Sequence, residues 1–268
     1  MKQKNLKTDD YFEGIPISNI PIDEERIIKS YSDLSNMLSE ALFVLDFQKR
    51  NFLFVPRHNL FLCGCTPEKV KKDGYDFFNF MLHPDDLQLW KSIHVVILKS
   101  LHKKKLPAEK IINFFECTFR IRNFLSEEGE KTDYLMVYLK IKPEIQNGIP
   151  LYGICLLSVS VVPEPQSMLV YYDNHDYSVY SLKSRKWIFC EYKQLSKREK
   201  QILVWSQAGL TNKEMAEKLH LSTKVIEKIK TLLFEEQDLV NNLNLNSFSK
   251  KKQYANNRGL FYKFTIAE

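Results

Sequence analysis

The sequence contains no apolar stretch long enough to cross a membrane. Its longest apolar run, Tyr152 to Val162, is far shorter than the roughly 18 uninterrupted apolar residues of a transmembrane helix and is typical of a buried strand. The basic residues at the N-terminus are not followed by an apolar run, which argues against a signal peptide. We therefore expect a cytoplasmic protein that has no membrane partner.

Cysteine is scarce, and its placement argues against a disulfide framework. The five cysteines are odd in number, scattered, and found mostly within apolar runs: Cys63, Cys65, Cys117, Cys155 and Cys190. Such a pattern fits a reducing cytoplasm. The Cys63-x-Cys65 pair has no second pair nearby, so it is a weak signal for a metal, and we expect no metal site.

The common catalytic motifs are missing as well. The sequence has no G-x-S-x-G, no P-loop, no H-E-x-x-H and no kinase set. Asp85 and Asp86 form an adjacent carboxylate pair, but neighbouring residues point apart on a helix, and a helix-capping role accounts for them. We therefore expect that the chain is not an enzyme.

The positive charge is concentrated in the last quarter of the chain. From Lys193 onward there are fourteen Lys and Arg against eight Asp and Glu, whereas residues 1–192 contain 25 of each. Hydrophobic residues make up 44% and charged residues 27%, as in ordinary folded proteins. A small basic unit attached to a larger neutral one indicates either a module that binds a polyanion or a well-solvated surface.

The larger part of the chain has the pattern of an α+β domain, an antiparallel sheet with flanking helices. Residues 1–30 are expected to be an N-terminal extension, and residues 163–194 a linker with short strands. Between them, the periodicity predicts a short helix, two strands, a helical insert that ends in a long helix, and a three-stranded meander. The predicted elements are Ser32 to Glu40, Ala41 to Phe47, Asn51 to Val55, Leu87 to Leu101, Ile111 to Phe124, Tyr134 to Ile141 and Leu151 to Val162.

Two short motifs give residues 31–162 a resemblance to a PAS domain. From Asn59 to Glu68 an asparagine is followed by a glycine and a capped helix, and His83-Pro84-Asp85-Asp86 precedes the long helix. The resemblance implies a PAS-like sensory domain, which holds a small molecule, haem, flavin or nothing. We expect no cofactor, because His83 belongs to a capping signature and His94 and His102 are expected to be partly buried or at the surface. A small-molecule ligand stays open.

From Leu195 onward the pattern is helical and the helix caps are explicit. Ser196 to Glu199 and Thr211 to Glu214 are predicted capping boxes, Gly209 is a predicted helix terminator, and Ser222 is a predicted cap for a third helix. Three capped helices joined by turns this short are typical of an all-α helix-turn-helix domain.

Residues 195–268 resemble the DNA-binding domain of LuxR/FixJ-type regulators. The residues that carry the resemblance are Leu195-Ser196, Arg198-Glu199, Ala208-Gly209-Leu210, Asn212 to Ala216, Leu219, Leu221, Ser222 and Ile226. The segment from Leu245 to Leu260 resembles the fourth helix of that family, which usually forms the dimer contact. The resemblance implies a transcription regulator that binds double-stranded DNA as a homodimer and responds to a signal through the PAS-like domain.

The family pattern places the recognition helix on Ser222 to Phe234. Base-facing positions are then Glu227, Lys228 and Thr231, whereas Asn212, Thr223 and Lys224 are expected near phosphates. Glu227 departs from the pattern, because the family often has a basic residue there. Either Glu227 accepts a hydrogen bond from a cytosine amine, or the helix binds weakly or in another register. The alternative function is a protein-interaction adaptor that has kept the fold and lost DNA binding.

Overall fold

The structure is a computed structural model that describes residues 20–102, 111–125, 133–160, 168–173, 176–181, 186–190 and 195–241. For Ile93, His102, Ser181, Gln207 and residues 234–241 it describes only the backbone. The chain divides into two compact units, Met1–Phe189 and Cys190–Glu268.

The N-terminal unit is built on one eight-stranded sheet. Its strand order is β2-β1-β5-β4-β3-β6-β7-β8, and the strand pairs with a described register are antiparallel. The strands are β1 (Ala41–Asp46), β2 (Asn51–Phe54), β3 (Ile112–Arg122), β4 (Tyr134–Gln146), β5 (Ile149–Val159), β6 (Leu169–Tyr172), β7 (Tyr177–Ser181) and β8 (Lys186–Cys190). The predicted antiparallel sheet is therefore confirmed.

Five α-helices accompany the sheet in the described part of this unit: α1 (Glu24–Ser35), α2 (Asn59–Leu62), α3 (Pro67–Asp73), α4 (Phe77–Met81) and α5 (Leu87–His102). The long helix predicted from Leu87 is confirmed as α5. Thr66 caps α3 as expected, since its side chain accepts a hydrogen bond from the Lys69 N–H and Pro67 opens the helix. Helices α2 to α5 form the insert between the second and third strands.

Helix α1 corrects the prediction of a helix from Ser32 to Glu40. It begins within the expected extension, because Asp23 caps it by accepting a hydrogen bond from the Arg26 N–H at 3.1 Å. Ile27 is buried and packs in a small cluster with Leu42 and Val44 of β1. Pro21 restricts only the preceding Ile20 to extended backbone, so it does not prevent a helix that starts three residues later.

The hairpin between β4 and β5 closes at Asn147-Gly148, between the predicted strands Tyr134 to Ile141 and Leu151 to Val162. Asn147 and Gly148 both have positive φ values, 53° and 76°, as a tight hairpin turn requires. The turn sets a register in which Ile141 faces Cys155 and Glu144 faces Tyr152.

Three strands, β6 to β8, lie within the segment expected as a linker with short strands. β6 pairs with β3 and thereby continues the sheet, and Met168, Val170 and Tyr172 are buried in the main core. The Trp187 Nε1–H of β8 donates a hydrogen bond to Ser100 Oγ of α5 at 3.1 Å. Apolar side chains on alternating positions explain why this segment adds to an open sheet edge.

The main core is dominated by aromatic side chains between the sheet and the helical insert. Phe43 of β1 stacks on Phe61 of α2 with ring centroids 4.3 Å apart, and Trp90 of α5 lies 5.4 Å from Phe119 of β3. His94 of α5 is only 2% exposed, which corrects the expectation of a partly buried or surface histidine. Burial lowers the pKa of His94 to about 3, so the ring is neutral.

The Asp85–Asp86 pair has a second role that the sequence reading missed. The His83 side chain caps this turn by accepting a hydrogen bond from the Asp85 N–H at 3.2 Å. Asp86 is instead buried and pairs with Arg120 of β3, whose Nε and Nη2 donate to its two carboxylate oxygens at 3.0 and 2.6 Å. Helix capping alone therefore does not account for Asp86.

Candidate nucleic-acid interface

Three helices make up the described part of the C-terminal unit: α6 (Lys197–Gln207), α7 (Asn212–Leu219) and α8 (Thr223–Asn241). Both predicted capping boxes are confirmed. The Glu199 carboxylate accepts a hydrogen bond from the Ser196 N–H at 2.8 Å, and Glu214 accepts one from the Thr211 N–H at 2.7 Å. These bonds fix the first turns of α6 and α7.

The turn between α7 and α8 is short and fully hydrogen-bonded. His220 adopts the left-handed conformation at φ 53°, and the Leu221 N–H donates to the Ala216 carbonyl at 2.9 Å while the His220 N–H donates to the Glu217 carbonyl at 3.3 Å. These two bonds form a Schellman motif. Ser222 Oγ then accepts from the Val225 N–H at 3.3 Å and caps α8, as predicted. The result is a helix-turn-helix.

A small core holds the three helices against one another. Ile202 of α6, Met215 and Ala216 of α7, and Ile226 of α8 are buried together, and Leu233 of α8 is also buried. Because Ile226 and Leu233 are seven residues apart, they lie on the same face of α8. The opposite face of α8 is consequently turned to solvent.

The predicted contact residues of α8 share that exposed face. At about 100° per residue they span an arc of roughly 140°, centred opposite the buried side chains. All are exposed to solvent: Thr223, Lys224, Glu227, Lys228 and Thr231. The structure thus brings these positions together, and their contact with DNA stays a prediction.

Asn212, expected near a phosphate, connects α7 to α8. Its Oδ1 accepts a hydrogen bond from Lys230 Nζ at 2.8 Å, and its Nδ2 donates a weaker bond to Glu227 Oε1 at 3.4 Å. The sequence reading missed Lys230, although its position three residues after Glu227 on a helix is a usable signal. The Asn212 amide therefore holds a cation and an anion next to each other at the edge of the exposed face.

The surface charge of this unit is positive where it is described with side chains. Residues 195–233 contain eight Lys and Arg against four Asp and Glu. Two of the four carboxylates, Glu199 and Glu214, lie in the capping boxes at helix N-termini, where the partial positive charge of the helix offsets theirs. Hydrogen bonds from Thr211 lower the pKa of Glu214. The lysines of α7 and α8 consequently dominate the field around the exposed face.

Two apolar side chains lie beside the predicted contact face. Val225 and Leu232 are 40% and 49% exposed, and their seven-residue spacing puts both on the flank that also carries Lys228. The helix also extends further than predicted, to Asn241 rather than Phe234, and so includes the acidic run Glu235 to Asp238. The expected fourth helix and its dimer contact, at Leu245 to Leu260, lie outside the described residues.

The cysteines and histidines of the described chain do not assemble into a metal site. Across the described ranges, no group of three or more His, Cys, Asp or Glu is arranged to hold a metal ion. Burial raises the pKa of the Cys63 thiol to about 12, so it is protonated at neutral pH. Among the helices that the structure describes, none is long and apolar enough to span a bilayer.

Comparison with known proteins identifies the C-terminal helices. Residues 193–235 match the family model for bacterial regulatory proteins of the luxR family. This match confirms the LuxR-type helix-turn-helix, and regulators of this family bind DNA. The match does not extend to the N-terminal unit. No curated protein matches the chain.

Several solved structures with some similarity are of VqmA. VqmA bound to DPO is 11% identical, with 91% of this chain and 90% of that chain covered and a TM-score of 0.30. The ligand–DNA complex of VqmA from Vibrio cholerae is 12% identical, with 89% and 90% covered and a TM-score of 0.31. The phage VqmA–DPO complex is 12% identical, with 89% of this chain and 90% of that chain covered and a TM-score of 0.30. Similarity at this TM-score supports no conclusion about the fold or function of either unit.

Proposed function

We propose that the chain is a signal-responsive transcription regulator that binds double-stranded DNA as a homodimer through the exposed face of α8. The observation that carries the proposal is the LuxR-type helix-turn-helix at residues 193–235, in which Thr223, Lys224, Lys228 and Thr231 share one solvent-facing arc opposite the core. A helix that presents lysine and hydroxyl side chains together can bind phosphates and base edges in the major groove.

Glu227 is compatible with this role. A carboxylate on a DNA-facing helix repels phosphates, but Asn212 bonds to it and brings the Lys230 ammonium next to it. Lys224 and Lys228 also lie within one turn of Glu227 on the same helix. A carboxylate surrounded by cations in this way can accept a hydrogen bond from the cytosine amine in the major groove without a large loss of overall affinity.

The N-terminal unit is proposed to be a PAS-like sensory domain. Its elements follow the order that the periodicity of the sequence predicted, with one helix, two strands, a helical insert that ends in α5, and the β3–β4–β5 meander. Its aromatic core contains polar groups that are buried from solvent, among them neutral His94 near Tyr75 and Trp90. A small molecule bound by this unit is the proposed signal.

Dimerisation follows from the size of the DNA-binding unit. One recognition helix reaches only a few base pairs, so modules of this kind act as two-fold pairs on two half-sites. The N-terminal unit is proposed to supply most of the dimer contact. Joining two copies makes the second half-site contact intramolecular and so raises affinity for a palindromic site.

A salt titration of the full chain on random duplex DNA tests the proposal. Because lysines that contact phosphates displace counterions, the logarithm of the binding constant should fall linearly with the logarithm of salt concentration, with a slope of about −0.9 per phosphate contacted. Lys29→Ala, which removes an exposed lysine of α1, is the matched control and should keep the slope. Absent or salt-independent binding at low ionic strength contradicts the proposal and favours the protein-interaction adaptor.

A further inference from the structure

An open cleft lies on the N-terminal unit between α1 and the β4–β5 hairpin. Its volume is about 520 Å³, within the range of about 300–1,000 Å³ that is common for small-molecule sites. Arg26, Ile27 and Tyr31 form one wall and fall on a single face of α1, because they are spaced at one and four residues. Glu144, Leu151 and Tyr152 line the opposite wall.

The hairpin wall is shaped by an irregularity in the sheet. Glu144 of β4 is the register partner of Tyr152 of β5, and the register shifts between Glu144 and Ile145. Such a bulge bends the strand locally and re-aims the side chains beside it. Cross-strand partners have neighbouring side chains, so the Glu144 carboxylate and the Tyr152 ring enter the cleft side by side.

The polar groups that line this cleft include the Arg26 guanidinium, the Glu144 carboxylate, and the hydroxyls of Tyr31 and Tyr152. Burial, with smaller effects from Tyr152 and Glu144, raises the pKa of Tyr31 to about 12. The pKa of Tyr152 is also raised by burial and by Glu144. Both phenols therefore remain neutral hydrogen-bond donors at physiological pH.

These groups are not occupied with one another. Within the described part of the chain, no side-chain hydrogen bond or ion pair involves the Arg26 guanidinium, the Glu144 carboxylate or either tyrosine hydroxyl. Ile27 and Leu151 contribute apolar surface to the same cleft and are only 8% and 7% exposed. The cleft thus offers the Arg26 cation and the Glu144 anion, both without hydrogen-bond partners among the described residues, two aromatic rings and an apolar floor.

We propose that this cleft binds a free α-amino acid with an apolar side chain. The ammonium group lies at Glu144 between the rings of Tyr31 and Tyr152, where charge pairing and the faces of the rings both attract a cation. The carboxylate pairs with Arg26, and the side chain lies on Ile27 and Leu151. A simple amine has no carboxylate to pair with Arg26, and a simple carboxylic acid has no ammonium group to pair with Glu144. Each should therefore bind more weakly than the amino acid.

Asp23 also lines the cleft and adds a second carboxylate to it, but one that already has a hydrogen-bond partner. Its side chain accepts a hydrogen bond from the Arg26 N–H and caps the first turn of α1. The carboxylate is therefore engaged with the helix N-terminus. One cation and one anion remain for a ligand, which matches a zwitterion.

Calorimetric titration of the full chain with three probes tests the proposal. L-phenylalanine, phenethylamine and 3-phenylpropionate share a phenyl group and differ only in which charges they carry. At about 10 mM, a suitable range for so small a ligand, L-phenylalanine should bind, and the two singly charged probes should bind at least about tenfold more weakly. Equal affinity for all three probes, or no binding of L-phenylalanine, overturns the proposal.

Two variants test which side chain of the cleft pairs with each charge of the ligand. Glu144→Gln and Arg26→Gln should each weaken L-phenylalanine binding by about tenfold or more, and only Glu144→Gln should weaken the remaining binding of phenethylamine. Lys29→Gln on the same helix, outside the cleft, should leave binding unchanged. Unchanged affinity in both cleft variants overturns the site, and matching melting temperatures show that the variants are folded. The titration needs no DNA and is independent of the proposed transcriptional function.

Discussion

The Lys230 ammonium of α8 donates a hydrogen bond to the Asn212 side-chain oxygen of α7 at 2.8 Å. Asn212 also donates to Glu227, so one amide at the start of α7 links two opposite charges of α8. The arrangement keeps the Glu227 carboxylate beside a cation at the edge of the proposed recognition face. An isolated carboxylate at that position would cost far more of the DNA-binding affinity.

Glu227→Gln should strengthen binding to random duplex DNA and reduce any preference for cytosine. Removing one negative charge from the DNA-facing side lowers the repulsion from phosphates, whereas the amide can no longer select a hydrogen-bond donor by charge. We expect a gain of about twofold to tenfold at low salt. Fluorescence anisotropy on random and selected duplexes measures both effects. Glu217→Gln, an exposed carboxylate of α7, is the control, and weaker non-specific binding by Glu227→Gln contradicts the proposed role.

Lys224→Ala and Lys228→Ala should have different effects on DNA binding, the first on affinity alone and the second also on sequence specificity. Lys224 is expected at a phosphate, so its loss should weaken binding to all sequences alike and make the salt slope less steep by about one unit. Lys228 is expected at a base edge, so its loss should also relax specificity at one base pair by about 1–3 kcal/mol. Selection from a random duplex library separates the two outcomes. Identical changes in both variants would argue against this assignment of positions.

His220→Gly should stabilise the C-terminal unit, and Gly209→Ala should destabilise it. Both positions end a helix with positive φ, 53° and 90° respectively, a conformation that glycine adopts without strain. The expected changes are about 0.5–1 kcal/mol in opposite directions. A Cβ at Gly209 meets no atom within 4 Å, so backbone strain is the cause. Hydrogen exchange of the α6 and α7 amides reports the change, and a shift of the same sign in both variants contradicts it.

Local signals in the sequence were enough to predict much of the fold. The capping boxes at Ser196 and Thr211 involve residues three apart, and the turn at Asn147-Gly148 depends on two neighbours. The exposed face of α8 follows from helical periodicity around Ile226. In each case the atoms that decide the structure are close in the sequence, so their spacing is informative.

Contacts between distant residues were not predictable in this way. The sheet positions of β6 to β8 depend on the open edge of β3, and Asp86 pairs with a residue 34 positions later. The Asn212–Lys230 bond of the candidate interface crosses from one helix to another over 18 positions. The burial of His94 likewise depends on which rings of other elements surround it. No periodicity along the chain specifies such partners.

Asp86→Ala should destabilise the N-terminal unit, whereas Asp85→Ala should not. Asp86 is 3% exposed and accepts hydrogen bonds from the backbone and the guanidinium of Arg120. Its loss leaves Arg120 with only the exposed Asp85 carboxylate, which lies 3.7 Å from Nη2, and should cost about 3 kcal/mol, near the low end for a buried pair since Arg120 is partly exposed. The Asp85 side chain is 76% exposed, so its removal should change stability by less than about 0.5 kcal/mol. Urea unfolding measures the free energy of unfolding of the two variants, and an equal decrease in both contradicts the assigned role of Asp86.

The stability of the N-terminal unit should fall as the pH drops below about 6.5, through the buried ring of His94. Burial lowers the pKa of His94 to about 3 in the folded chain, whereas an unfolded histidine titrates near 6.5. Between these values the unfolded state binds one more proton than the native state, so acid favours unfolding. The contribution is fully present above about pH 6.5, and about 2 kcal/mol of it should be lost by pH 5.

His94→Phe keeps an aromatic ring beside Phe47, Tyr75 and Trp90 and should remove this slope, whatever its effect at pH 7. His220→Asn alters an exposed histidine of the other unit and should retain the wild-type slope. Urea unfolding at pH 7, 6 and 5, followed by hydrogen exchange of the β4 and β5 amides, measures the difference. The same acid sensitivity in His94→Phe as in the wild type would show that other groups are responsible for it.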